Sequence, residues 1–302
     1  MRLGFIGVGH LGRHLAGSLL KAGFSLTVSD LDRSAAAGLL AVGATWAASP
    51  REVAARSDSV FTCLPSPAAV SAVVAGEIGI LAGLAPGGSW IDMSTNDRHE
   101  ILRLAGLAAD KGIACLEAPV TGGVHKAASG EITVLVGGER DAYEAHLPAF
   151  RAMGGQVFHM GPLGSASVIK VITNMLAFIH LVAAGEALML ARRGGLDLAQ
   201  AWKAIAASSG TSFVHETEGQ LILNGSYDIA FTMDLALKDL GFAMKFSEEF
   251  GVPLDLAMRV HDTFVKGREA YGGSAQSTMI VKLLEDALDT DLRAPGFPAR
   301  LE

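Results

Sequence analysis

Short apolar runs alternate with amphipathic stretches through the first half of the chain. Runs at residues 3–6, 25–29, 60–63, 90–93, 113–117, 133–136 and 157–159 predict strands. Stretches such as 11–21, 101–111 and 142–151 predict helices between them. This strand–helix–strand repetition calls for a parallel sheet covered on both faces, an α/β doubly wound architecture. After Gly161 the pattern changes, and long helical stretches follow at 166–192, 198–207, 235–249, 254–271 and 278–289. Gly194-Gly195 and Gly272-Gly273 read as helix stops, and Pro253 as a first helical residue after Gly251. The expected organisation is an α/β domain over 1–162 and an all-helical domain over 163–302, joined by the 166–192 helix. The tail from Arg293, with two prolines, is expected to pack loosely.

Gly7-Val8-Gly9-His10-Leu11-Gly12 fits the spacing G-x-G-x-x-G, directly after a predicted strand and at the opening of a predicted helix. The first glycine allows the tight turn, the second lets backbone approach a pyrophosphate, and the third lets helix pack on strand. The phosphates of a dinucleotide would then meet the N–H groups at the positive end of that helix. Asp30 closes the next strand, at the distance expected of the acid that accepts from an adenosine ribose. A carboxylate there repels a 2′-phosphate, so NAD is favoured over NADP, although Arg33 lies close enough to blur the preference.

Composition narrows the class. Half of the 302 residues are apolar and 18% are charged, which fits a packed globular protein. A net charge of −7 gives no reason to expect nucleic acid or an anionic membrane as partner. Cys63 and Cys115 are the only cysteines. They favour a reducing, cytosolic setting and, lying in apolar runs, read as core residues. His10 and His14 share a helix face but have no third ligand apparent nearby, so no metal is expected. The run 168–191 is the one candidate membrane span; Lys170, Asn174, His180 and Glu186 interrupt it, and a long buried helix is expected instead.

Candidate chemistry gathers at three places. Glu117-Ala118-Pro119-Val120-Thr121-Gly122-Gly123 follows a strand and would present bare backbone N–H groups where open α/β sheets bind ligands. Lys170 and Asn174 are spaced i, i+4 in the long apolar helix and so share one face. A buried ammonium is costly without a purpose, and desolvation lets a lysine exchange protons nearer neutrality; the alternative on spacing alone is a lysine that snorkels to a surface. Lys238-Asp239, taken alone, reads as an exposed ion pair. Asp97 and Glu100 are spaced as a capping box, which leaves Ser94, Thr95 and Asn96 unexplained at the strand end.

These residues together resemble the β-hydroxyacid dehydrogenases, a family that includes 3-hydroxyisobutyrate dehydrogenase and tartronate semialdehyde reductase. The resemblance spans nearly the whole chain: Gly4-Phe5-Ile6-Gly7-Val8-Gly9 with Gly12, Asp92-Met93-Ser94-Thr95, Glu117 to Gly123, Gly161 to Asn174, and Leu237-Lys238-Asp239-Leu240. It implies a Rossmann domain, a long interdomain helix and a helical domain that assembles a homodimer or homotetramer. It implies further that Lys170 is the catalytic acid/base, that Asn174 positions substrate, and that Thr121, Gly122 and Gly123 bind the substrate carboxylate. Lys238 would lie by nicotinamide and substrate. Gly7, Gly9, His10, Leu11, Gly12, Asp30, Leu64, Pro65 and Thr95 would line the cofactor. The chain departs from the family pattern at Leu11, usually methionine, at Thr121, usually serine, and at Thr173, the first of a common asparagine pair. Ala166 and Lys126 stand where glycine is usual, and Asn96-Asp97-Arg98 replaces the usual continuation after Thr95.

The expected activity is reversible hydride transfer between NAD and a short-chain 3-hydroxy acid. The rival readings are an imine reductase, for which Lys170 is out of place, and a redox-silent NAD-binding scaffold. A decarboxylating 6-phosphogluconate dehydrogenase matches the first half, but the chain after Gly161 is short for it. Lys126 and Arg98 suggest a second anionic group on the substrate, against a plain pair of solvent-facing charges.

Overall fold

The computed structural model describes residues 1–301. The chain divides into two compact units, Met1–Lys170 and Val171–Glu302.

The first unit is built on nine strands: β1 (Arg2–Ile6), β2 (Ser25–Ser29), β3 (Thr45–Trp46), β4 (Ser59–Thr62), β5 (Ser89–Asp92), β6 (Ala114–Glu117), β7 (Val120–Thr121), β8 (Ile132–Gly137) and β9 (Gly154–Gly161). Their order is β3-β2-β1-β4-β5-β6-β8-β7, with β9 also paired to β8. The six strands from β3 to β6 run parallel, as the alternating pattern predicts. The rest of the sheet is mixed, because β8 runs antiparallel to both β6 and β7. The short β7 follows β6 after only Ala118 and Pro119, and both strands lie along β8.

Side chains alternate between the two faces of each strand, so each face carries its own core. Phe5, Val28, Phe61, Ile91 and Leu116 pack against Leu15, Leu19 and Phe150 on one side. Ile6, Val60 and Trp90 pack against Val53, Val70, Ile101 and Leu104 on the other. Phe5 stacks on Phe61 at 6.2 Å, and Phe61 meets Phe150 edge-on at 6.3 Å. Burial of each such side chain contributes about 1.5–3 kcal/mol.

The second unit is helical throughout. Its main helices are the greater part of Ser165–Arg193, then Leu198–Ala206, Met233–Phe250, Asp255–Tyr271 and Lys282–Leu288. Two short helices absent from the pattern, Phe213–Glu216 and Glu218–Asn224, supply Val214, Ile222 and Leu223 to its core. Phe178, Leu188, Leu240 and Phe264 fill the rest.

Three local expectations are corrected. Pro253 is not a first helical residue, since the helix begins at Asp255 after the Leu254 cap. The tail is not loose at its start: Arg293 pairs with Glu285 at 3.0 Å, Ala294 N donates to the Leu223 carbonyl at 3.0 Å, and Asn224 Nδ2 donates to the Phe297 carbonyl at 2.8 Å. The Ser165–Arg193 helix is less buried than a core helix. Only 33% of its most apolar window is covered, and Ile172, Leu176 and Leu190 are exposed. By length and mean hydropathy of 1.8 it could cross a membrane. The first compact unit includes the first turn of that helix, which is bonded to Glu117 of the sheet.

Candidate active site

The carboxyl ends of the central strands lie in one row. Ile6 is level with Ser29 and Thr62, Thr62 with Asp92, and Asp92 with Glu117. Gly7, Asp30, Leu64, Ser94 and Thr121 all follow these ends, so residues scattered along the sequence share one edge, where such sheets take their ligands.

At β1 the turn is compressed to its limit. A Cβ on Gly12 would lie 1.9 Å from the Gly7 carbonyl oxygen, and one on Gly7, at φ +90°, would lie 2.3 Å from the Cys63 carbonyl oxygen. A Cβ on Gly9 would meet no protein atom within 4 Å. Among the described residues no protein acceptor takes the N–H groups of Gly9, His10 or Leu11. These donors lie at the start of the Gly12–Lys21 helix, where the aligned peptide dipoles favour an anion. The cradle therefore fits a dinucleotide pyrophosphate. Asp30 braces it, with Oδ2 accepting from Val8 N at 2.7 Å and Oδ1 accepting from Asp32 N at 3.1 Å. Its carboxylate is half-buried and keeps lone pairs for ribose hydroxyls.

Asp92 organises the next part of the rim. Its Oδ1 accepts from Thr62 Oγ1 at 2.9 Å and from Ser94 N at 3.1 Å, and its Oδ2 from Asn96 Nδ2 at 2.9 Å. Ser94 Oγ in turn accepts from Leu64 N at 2.9 Å. One buried carboxylate thus shapes both the Leu64-Pro65 loop and the turn holding Thr95. Burial pushes its carboxyl above the ordinary range, against the pull of Ser94, Asn96 and Thr62. Of the polar residues that capping leaves unexplained, Ser94 and Asn96 are partners of this acid. Asp97 does cap the Arg98–Ala109 helix, accepting from His99 N at 2.9 Å, whereas Glu100 pairs with Arg103 at 2.6 Å. Burial and Asp92 push the Cys63 thiol up to about 12.

The Thr121-Gly122-Gly123 turn has φ of +120° at Gly122 and +85° at Gly123, a backbone that side chains rarely adopt. Lys170 follows on the long helix and is 9% exposed. Glu117, which opens the turn's segment, is 2% exposed and accepts from Ala166 N at 2.7 Å and Ser167 N at 3.0 Å. Of the two basic residues considered for a second anionic group, Lys126 pairs with Glu131 at 2.6 Å on the surface. Arg98 lies against Gly164 at the start of the long helix.

In the helical unit Asn174 Nδ2 donates to Asp239 Oδ2 at 2.6 Å. A carboxylate only accepts, so the Asn174 amide is oriented with its own Oδ1 turned away from Asp239. Lys238 Nζ lies 2.9 Å from Asp239 Oδ1 but off the hydrogen-bonding direction, so the attraction there is chiefly coulombic. Asp239 is 1% exposed, which corrects the expectation of an exposed pair. Replacing Asp239 with alanine is expected to destabilise the protein by about 3 kcal/mol, because a buried amide loses its acceptor and an ammonium its counter-charge together. Chemical denaturation measures this, and Asp239→Asn, which keeps an acceptor for Asn174, is expected to cost less.

The sequence places Asp92 and Glu117 within motifs without marking a role for either, and Asp239 reads there as exposed. The available signal was an acid closing an apolar strand or sitting within an apolar helix, which is costly unless bonded.

Two family models match the chain. The NAD binding domain of 6-phosphogluconate dehydrogenase covers residues 2–161, and the NAD-binding domain of NADP-dependent 3-hydroxyisobutyrate dehydrogenase covers residues 164–284. A 2-(hydroxymethyl)glutarate dehydrogenase of Eubacterium barkeri is 33% identical, over 94% of this chain and 95% of its own length. An NAD-dependent L-serine dehydrogenase of Pseudomonas aeruginosa is 35% identical, over 82% of this chain and 85% of its own. The crystal structure of a 3-hydroxyisobutyrate dehydrogenase from Salmonella typhimurium superposes with a TM-score of 0.87 at 31% identity, covering 94% of this chain and 99% of that one. The glycine cradle, the two matched models and these near full-length relatives agree, and the chain belongs to the β-hydroxyacid dehydrogenase family of NAD(P)-dependent oxidoreductases acting on the CH–OH group of hydroxy acids.

Proposed function

We propose that the protein reversibly oxidises a short-chain 3-hydroxy acid to its semialdehyde with NAD, and that Lys170 is the general acid/base. The observation that carries this reading is the placement of Lys170. It is a buried lysine on a helix whose first turn is bonded to the acid that opens the Thr121-Gly122-Gly123 segment. Residues 1–162 then serve as the dinucleotide domain and 163–302 as the substrate and oligomerisation domain.

Bound NAD supplies the hydride acceptor. The backbone N–H groups of Gly122 and Gly123, with Thr121, hold the substrate carboxylate. Lys170 takes the hydroxyl proton as a neutral amine during oxidation and returns it during reduction. Asn174 offers its carbonyl oxygen or second N–H to the substrate, its amide held by Asp239. Lys238 contributes positive charge beside nicotinamide and substrate. Leu64, Pro65 and Thr95 line the cofactor on the rim that Asp92 organises.

Preference for NAD is supported by two carboxylates, Asp30 and Asp32, at the end of β2. Either would repel a 2′-phosphate. Arg33, the cation that could offset them, lies with its guanidinium 5.7 Å from the Trp46 ring. The exposed Ile172, Leu176 and Leu190 on the long helix support a homodimer or homotetramer. The setting is cytoplasmic.

The test is the initial rate of NAD and, separately, NADP reduction by 3-hydroxyisobutyrate, D- and L-glycerate, L-serine, threonate and a sulfonated analogue. Turnover of at least one with NAD preferred is the expected result. No turnover, with cyclic imines oxidising the reduced cofactor, would identify an imine reductase. Dinucleotide binding without any turnover would identify a redox-silent protein.

A further inference from the structure

We infer that Glu117 is a positioning residue, whose carboxylate ties the Thr121-Gly122-Gly123 turn to the first turn of the helix carrying Lys170 and thereby sets the proton acceptor's place relative to the substrate. This inference rests on the role proposed above for Lys170.

The carboxylate joins two elements that meet nowhere near each other in sequence. Ala166 N donates to Oε1 at 2.7 Å and Ser167 N to Oε2 at 3.0 Å, across separations of 49 and 50 residues. The Ser167 hydroxyl also donates to Oε2. All these donors belong to the start of the Ser165–Arg193 helix. Ala166 and Lys170 are spaced i, i+4 and share a helix face, about 6 Å apart along the axis. The anchor and the proposed acid/base are therefore separated by a single rigid turn.

The other side of the link is equally short. Glu117 is the last residue of β6, and Ala118, Pro119 and Val120 lead directly to Thr121. This stretch is held along β8 at three successive points. Glu117 is level with Gly137, the Pro119 carbonyl accepts from Leu135 N at 2.9 Å, and Thr121 is level with Thr133. Space for the carboxylate is kept at Gly137, where a Cβ would lie 2.4 Å from Oε1 and 3.0 Å from Cγ.

An ordinary helix start would be satisfied by a serine or aspartate of its own N-cap, at no desolvation cost. Here a carboxylate is buried instead, and burial pushes its carboxyl above the ordinary value. Charge-assisted bonds at the positive end of a helix offset that cost, and they act only over a narrow range of geometry. What a remote carboxylate adds beyond capping is location: it specifies where the helix starts relative to the sheet.

The experiment uses the full-length protein as Glu117→Gln, Glu117→Asp and Lys170→Ala, with the double variant Glu117→Gln/Lys170→Ala. Glutamine keeps the shape but turns an NH2 group toward N–H donors, and aspartate keeps the charge but draws it back by one methylene. Turnover of the hydroxy acid, NADH affinity by fluorescence titration and hydrogen exchange are measured for each. In Glu117→Gln, kcat is expected to fall 10- to 100-fold, as for misplacement of a reacting group by about 1 Å. NADH affinity is expected to be unchanged, and exchange protection to drop at residues 166–171 alone. Glu117→Asp is expected to recover part of kcat, and the double variant to lose little beyond Lys170→Ala.

Wild-type kcat in Glu117→Gln overturns the inference, as does a kcat loss with unchanged exchange at 166–171. Loss of protection across the whole molecule, or full additivity in the double variant, assigns Glu117 a merely structural role and also overturns it. If Lys170→Ala stays fully active, the proposed role of Lys170 falls. Hydrogen exchange still decides separately whether Glu117 holds the helix.

Discussion

Replacing Lys170 with alanine is expected to lower turnover on the order of 100-fold or more while leaving NADH affinity at its wild-type value, as for loss of a general acid/base. The two effects separate because the groups that do them are separate. The pyrophosphate cradle is made by Gly7, Gly9 and the start of the Gly12–Lys21 helix, and Lys170 stands on a different element. A residue 9% exposed in an apolar helix could also be there for packing. Lys170→Met keeps most of the aliphatic stem without the amine, so packing alone predicts near-normal turnover in that variant. Initial rates in both directions, with fluorescence titration of NADH, check this. Near-normal turnover in both variants would remove Lys170 from the chemistry.

Gly12→Ala is expected to weaken dinucleotide binding by roughly 10- to 100-fold and to lower thermal stability as well. The added methyl would lie 1.9 Å from the Gly7 carbonyl oxygen and 3.0 Å from its carbon, and both are backbone atoms that cannot swing aside. Forcing the turn open costs about 1–3 kcal/mol, and 1.4 kcal/mol is tenfold in affinity. Gly9→Ala separates the two consequences. Its methyl would meet no protein atom within 4 Å, so stability is expected to stay at wild type. Affinity is nevertheless expected to fall, because the methyl stands where the pyrophosphate approaches the backbone. Equal NADH affinity in Gly9→Ala and wild type would show that the cradle is not where the phosphates sit. Calorimetry and thermal melts on the two variants make the comparison.

Much of the first unit is legible because its information is local. The glycine spacing, the strand before it and the acid at the end of β2 all lie within the first thirty residues, and their meaning depends on near neighbours. The parallel strands β1, β2, β4, β5 and β6 are legible for the same reason, each being an apolar run bounded by turn residues. Two strands escape detection. Thr45–Trp46 and Val120–Thr121 are two residues long, too short for any periodicity, and exist only because a longer neighbour pairs with them. The direction of β8 is likewise invisible in its composition and follows from its partners.

The supporting acids mark the boundary most clearly. Asp92, Glu117 and Asp239 are plain in the sequence, but their partners Thr62, Ala166 and Asn174 lie 30, 49 and 65 residues away. No spacing rule connects a strand end to a helix start at that distance. The helical unit shows the converse limit, since amphipathic periodicity reports that helices exist but not how far they are covered. The long helix therefore reads as buried, while Leu190 is 76% exposed.

The sequence by itself thus determined the class of fold, the dinucleotide turn and the residue types capable of the chemistry, because these depend on side-chain periodicity and on local backbone needs. Only the tertiary structure decided which carboxylates are buried, which groups they hold and how the substrate turn is joined to the Lys170 helix. Those are properties of contacts between distant segments, and a buried charge takes its meaning from its partners rather than from its position in the chain.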